Sequence, residues 1–443
     1  MRRVAPWVLA IGLLAGGASA APPELPAAPV VSGVVGARLP NGLRLSVQED
    51  HGTPRVALHF RYDVGYGDDP DGATGLAELI GALLREGSTP TLPAATRSAL
   101  PEAVGAHHWE RKVLVNIDGT HVTLSGPAHE LDLALWMERD VIASLADGVE
   151  PAMLARHVKA LRGTKISPPW KEYAELRSRL HGPTSPYGRA RVWDWSQTET
   201  VTVDVVRQRL RQAYGAKGIA LTVVGDVDQR AAQTLVANRL GTIPAGVTME
   251  RRIPDAAAVA SRSRLDLGGA PKVALLWITP AYFAEGDPEL DVVARLLKAR
   301  LTRALVNDRK VAASVSVSQS SMKLRSDFAI IAELAGGHGA DEVIALVDAE
   351  LQRLRAGEAT DAEVGRARTL MFLENLDAWD SLPGRARWLS WLASGGRDPS
   401  GFTRHVAAAR SVDARAVGTI VEKHLPANAR VVVDIVPVAG GSK

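Results

Sequence analysis

The chain repeats itself, and that repetition constrains its fold more than any single motif. The strand-like Pro54-Arg55-Val56-Ala57-Leu58 returns as Pro271-Lys272-Val273-Ala274-Leu275. Leu145-Ala146-Asp147-Gly148, ahead of a helix led by Pro151, has a counterpart in Leu354-Arg355-Ala356-Gly357. There the next helix opens with the capping-box sequence Thr360-Asp361-Ala362-Glu363. Thr202-Val203-Asp204, a helix and the strand Ile219–Gly225 are echoed by Ser411-Val412-Asp413, a helix and the strand Arg430–Val436. The spacings are about 217, 209 and 209 residues, so order and distance agree. A module of roughly 200 residues is written twice.

Hydrophobic periodicity fills in each copy. The first reads as strands at Leu43–Gln48, Arg55–Val64, Lys112–Ile117 and His121–Ser125, with helices at Thr74–Glu86, His129–Ala146, Pro151–Gly163 and Val203–Tyr214. The second reads as Lys272–Ile278, Pro288–Asn307, Ser314–Gln319, Asp327–Leu334, Asp341–Ala356 and Asp361–Trp379. Strands separated by helical blocks predict an α+β architecture, with helices against one face of an antiparallel sheet. Thr242–Gly269, with Pro244, Gly246, Pro254 and Gly268-Gly269, has the composition of a linker. The expected organisation is a leader at 1–20, a first half at 33–242, a linker at 243–269 and a second half at 270–438.

Arg2-Arg3, the apolar run Val4–Leu14 and Ala18-Ser19-Ala20 form the pattern of a cleavable secretory signal. A chain exported to the periplasm or the outside, soluble after cleavage, is the expectation. Formal charge is +3, from 52 Lys+Arg against 49 Asp+Glu. Such a balance gives no electrostatic case for nucleic acid or an anionic membrane. The absence of cysteine excludes disulfides, thiolate metal sites, a cysteine nucleophile and a lipidated N-terminal cysteine. No Gly-x-Ser-x-Gly elbow supports a serine hydrolase.

An ordered set of short motifs then points to one family. Pro40-Asn41-Gly42-Leu43-Arg44, Val64-Gly65-Tyr66-Gly67-Asp68, Thr74-Gly75-Leu76-Ala77 and Leu83-Leu84-Arg85-Glu86-Gly87-Ser88 occur in sequence. Pro186-Tyr187-Gly188-Arg189 and Val223-Val224-Gly225-Asp226-Val227-Asp228 follow. From about Gly33 to Val438 the chain resembles the pitrilysin/insulinase-type zinc metallopeptidases, and is similar to the non-catalytic subunits of the mitochondrial processing peptidase type. The resemblance implies two homologous α+β halves, each with two similar subdomains, arranged as a clam-like shell.

That family places His-x-x-Glu-His on the helix after Thr-Gly-Leu-Ala. Residues four apart share a helix face, so both imidazoles reach one zinc while the Glu polarises its water. A distal Glu completes the site. In that register this chain has Glu78, Gly81 and Ala82. From Pro151 to Lys171, where the distal Glu would fall, there is no acidic residue; His157 alone lies there. The Arg and Tyr by which relatives hold the substrate backbone fall on Val306 and Ala313, with Arg309 the nearby guanidinium. The glycine-rich stretch of many relatives is replaced by Leu296–Leu301. The resemblance therefore implies a homologue without catalytic residues and without the family's zinc. Its expected role is partner to an active His-x-x-Glu-His subunit, as a hetero-oligomer enclosing peptide. Tyr187, Arg189 and Arg309 are its candidate substrate contacts. A stand-alone peptide- or protein-binding scaffold of the envelope is the alternative, and a residual zinc metalloendopeptidase a third.

Other histidines read more plainly. His107-His108-Trp109-Glu110 is expected as a solvated loop, since adjacent side chains diverge. His59 alternates with Val56, Leu58 and Phe60, which predicts a partly exposed sheet position.

Overall fold

The structure, a computed structural model, describes residues 31–107, 109–189, 195–249 and 259–437. The expected leader lies outside these residues. In the first half the strands are β1 (Val34–Arg38), β2 (Arg44–Glu49), β3 (Arg55–Tyr62), β4 (Glu110–Val115), β5 (Thr120–Pro127) and β6 (Ile219–Gly225). Its helices are α1 (Leu76–Glu86), α2 (Ala94–Ala103), α3 (Leu131–Gly148), α4 (Pro151–Arg162), α5 (Pro168–His181), α6 (Pro186–Arg189), α7 (Val203–Ala213) and α8 (Gln229–Leu240). The second half contributes β7 (Ser261–Asp266), β8 (Lys272–Thr279), β9 (Ala312–Ser320), β10 (Ser326–Leu334) and β11 (Val431–Val436). Its helices are α9 (Asp287–Leu301), α10 (Ala340–Arg355), α11 (Asp361–Asp380), α12 (Leu382–Ser394), α13 (Gly401–Ser411) and α14 (Ala414–His424).

The duplication is visible in strand order. One sheet runs β1-β2-β6-β3-β5-β4 and the other β7-β11-β8-β10-β9. Five strands correspond one for one, with β1 an added edge. Each sheet is mixed: β2 pairs parallel with β6, and β7 parallel with β11, while the other pairings are antiparallel. Each half is thus built on one sheet rather than on two similar subdomains. β7 also corrects the linker reading of 243–269. It is an edge strand of sequence SRSRLD with only Leu265 buried, so it carries no apolar alternation to betray it.

Alternation on β3 sends Val56, Leu58, Phe60 and Tyr62 into a core shared with α1, α3, α7 and α8. An equivalent core in the second half joins β8 and β10 to α9, α10 and α14. The opposite sheet faces are not left to solvent, because the halves exchange helices. Ala386, Leu389 and Leu392 of α12 pack against Ala57 and Val224 of the first sheet. Leu176 and Leu180 of α5 cover Ala274, Leu276, Val431 and Val433 of the second. Each half thereby supplies the lid of its neighbour's sheet.

Under α12 the covered face also carries polar groups that bond to one another. Arg44 reaches Asp63 at 2.6 Å, and the Ser394 hydroxyl also donates to Asp63. His59, expected to be partly exposed, is 1% exposed because α12 lies over it. The Asn116 amide donates to His121 Nε2 (3.0 Å), so His121 Nδ1 donates to His59 Nε2 (3.1 Å) and His59 Nδ1 to Thr123 (2.9 Å). Burial, with Arg61 beside it, pushes His59 down to about 3. Both imidazoles are neutral at physiological pH.

The halves also meet at two equivalent hairpin turns. Asp118, in the turn between β4 and β5, accepts the Lys323 backbone N–H at 2.8 Å from the turn between β9 and β10. The Tyr187 hydroxyl donates to Asp118 (2.7 Å) and accepts from the Leu324 N–H (3.1 Å). Ile117, Tyr187 and Met322 make a small apolar cluster there. No helix among the described residues is long and apolar enough to cross a membrane.

Candidate functional site

Helix α1 begins where the chain turns sharply. Gly75 sits at φ 93°, and Asp69 accepts the backbone N–H groups of Gly75 (2.8 Å) and Ala77 (2.9 Å), satisfying donors that a helix N-terminus leaves open. One face of the helix is apolar and enters the core through Leu76, Leu79, Ile80, Leu83 and Leu84. Another lies along β4, where Arg85 donates to the Val113 carbonyl at 3.3 Å. The three expected motif positions fall on this helix.

Their geometry excludes a metal centre of the expected kind. Glu78 supplies one carboxylate. A Cβ at Gly81 would stand 2.5 Å from Val115 Cγ2, so the space of the general base is already filled by the strand beside it. Ala82 offers no ligand atom. His157, buried on α4, has no partner for Nε2 and lies near Arg85 and Glu86, at the far end of α1 from Glu78. One carboxylate cannot bind zinc as three or four ligands do. The residues present do not fit the family's metal.

What remains is an acidic pair, Glu78 and Asp69, with shifted protonation. Burial, reinforced by Asp69, pushes Glu78 up to about 7. Burial likewise pushes Asp69 up to about 7, against the two backbone donors. Between the ordinary carboxylate range and about pH 7 the folded Glu78 keeps a proton that the unfolded chain has shed. Stability therefore falls as pH rises through that window. Glu78→Gln removes this penalty. We expect it to gain about 2 kcal/mol near pH 8 and almost nothing near pH 4.5, read from urea denaturation at the two pH values. Equal gains at both would show that Glu78 is not held protonated.

The structure scatters the other expected contacts. Tyr187 is 1% exposed and bonded across the join between halves, so its hydroxyl is not offered to a ligand. Arg189 pairs with Asp71 and donates to the Asp69 carbonyl at 3.0 Å, lining a cavity of about 370 Å³ with Tyr66, Thr74 and Gln197. Arg309 is exposed at the end of the π-helical turn Thr302–Asp308. Val306 packs against the second core, and Ala313 is exposed on β9, which pairs only with β10. Among the described residues the closest imidazole–carboxylate cluster lies elsewhere, at His107, His129 and Glu130. Sequence reading missed it because His107 finds its partners across the β4–β5 hairpin and not in the neighbouring residues.

Comparison with known proteins bears on the fold. Residues 200–371 match the family model described as the peptidase M16 inactive domain. A Pseudomonas fluorescens protein described as a peptidase M16 inactive domain is similar at TM-score 0.79 and 18% identity, over 92% of this chain and 99% of that one. A Helicobacter pylori protease is similar at 0.76 and 18%, over 91% and 99%. The periplasmic protease PqqL of Escherichia coli is similar at 0.74 and 15%, over 93% of this chain but 48% of its own. No curated protein sequence matches the chain. The chain has the M16, pitrilysin-type fold, and its residues 200–371 match the inactive-domain model; positions 78, 81 and 82 hold Glu, Gly and Ala in place of the zinc motif.

Proposed function

We propose that this chain is the non-catalytic member of a two-chain M16-type assembly of the cell envelope. It pairs with an active homologue and supplies half of the enclosure in which peptide is processed. The observation that carries this reading is the filled cradle: Val115 occupies the room that a side chain at position 81 would need, while the surrounding scaffold is kept. Full retention of a peptidase fold without a metal site favours a role in shape and contact over one in chemistry. PqqL supports the pairing, since this chain spans only about half of its length and matches a structure of its first half over 93% of that chain. The sequence of residues 1–20 supports export, and with it an assembly in the periplasm or outside the cell.

The test is capture of the tagged full chain from the envelope fraction of cells co-expressing a His-x-x-Glu-His homologue from the same genome, followed by native mass spectrometry. A one-to-one heterodimer is expected. Recovery of this chain free of every such homologue would overturn the pairing. Peptide binding by the lone chain would then favour the scaffold reading.

A further inference from the structure

We propose that His107, His129 and Glu130 form a surface site for one divalent transition metal of the zinc type, separate from the degenerate cradle on α1. Their ligand atoms all lie within 4.8 Å of one another. Glu130 Oε1 is 2.7 Å from His107 Nδ1 and 3.5 Å from His129 Nε2. Two imidazoles and one carboxylate are a donor set suited to zinc, cobalt, nickel or copper, leaving a position open to water. Metal–nitrogen bonds are about 2.0–2.1 Å, and both imidazoles are exposed, which leaves them room to turn toward an ion beside the carboxylate.

The carboxylate is what makes this a built site. Glu130 is 9% exposed, and its second oxygen accepts the Trp109 indole N–H at 3.1 Å. The His107 backbone N–H holds the first oxygen at 2.9 Å. Such outer partners fix a ligand's orientation before the metal arrives. Both imidazoles face the same carboxylate oxygen, with His107 Nδ1 in hydrogen-bond contact at 2.7 Å and His129 Nε2 at 3.5 Å; a bound cation would take the place of that hydrogen bond. The ion would tie the loop after α2 to the start of α3. The site lies at the start of β4, whereas the cradle contact is made by Val115 at its end, about 17 Å along the strand at about 3.3 Å per residue.

Isothermal titration of the chelator-stripped full chain with zinc chloride tests this. One saturable site is expected in the wild-type chain, weakened about 10-fold or more by His129→Ala, with thermal stabilisation by zinc lost in the same variant. His129 is exposed, so that variant keeps the fold. Glu78→Gln should bind as the wild type does. Absence of saturable zinc, or equal affinity in His129→Ala, overturns the proposal. Binding lost in Glu78→Gln also overturns it, and would place the ion on α1.

Discussion

Replacing Asp327 by alanine is expected to cost about 3–5 kcal/mol and to loosen α5 before the rest of the chain. Asp327 is 4% exposed on β10 and faces two residues of the helix that the first half lends to the second sheet. His181 Nε2 bonds one oxygen, and Arg177 Nε stands 3.2 Å from the other. Arg177 itself is buried, with its guanidinium 5.4 Å from the Tyr173 ring centre and 5.3 Å from that of Tyr187, and it reaches Met322 Sδ. Removing the carboxylate leaves that cation deep in the join without its counter-charge. This costs far more than an exposed pair would. Urea denaturation should show the loss, and hydrogen exchange should show it first in residues 168–181. Adding Arg177→Met should recover part of it, because the stranded charge then disappears. A loss below about 1 kcal/mol with α5 still protected would mean that the apolar contacts alone hold the exchanged helix.

The second large effect concerns the motif itself. The triple variant Glu78→His, Gly81→Glu, Ala82→His should be no peptidase and should lose at least about 3 kcal/mol. The loss comes from position 81, where the new side chain meets Val115 at once and buries a carboxylate without a partner. Activity stays absent because α4 provides no acidic residue as third ligand. Adding Val115→Ala should return part of the stability and none of the activity. Robust cleavage by the triple variant would show that a third ligand exists elsewhere in the first half.

Much of this was legible before any coordinates. The echo of Pro54–Leu58 in Pro271–Leu275 foretold two matching sheets, and β3 and β8 do hold corresponding places. The capping box at Thr360 and Glu363 forms as its sequence implies, with Glu363 accepting the Thr360 N–H at 2.9 Å. The missing ligands at 78, 81 and 82 follow from register alone. Two kinds of feature were not legible, each for a physical reason. β7 is a half-exposed edge, so its residues need not alternate. The burial of His59 depends on α12, more than 300 residues away, and alternation tells only which face a side chain takes and not what covers it. The Val115 contact that fills the cradle, and the meeting of His107 with Glu130, are likewise products of the hairpin's closure and leave no local pattern.

Cleavage by the lone chain bears most directly on the reading of a peptidase scaffold without peptidase chemistry. Purified full-length protein, supplied with zinc, is incubated with a library of quenched fluorescent peptides, with and without a chelator. No turnover above buffer is expected, with Glu78→Gln indistinguishable from the wild type. Turnover that the chelator abolishes and that Glu78→Gln removes would contradict the account.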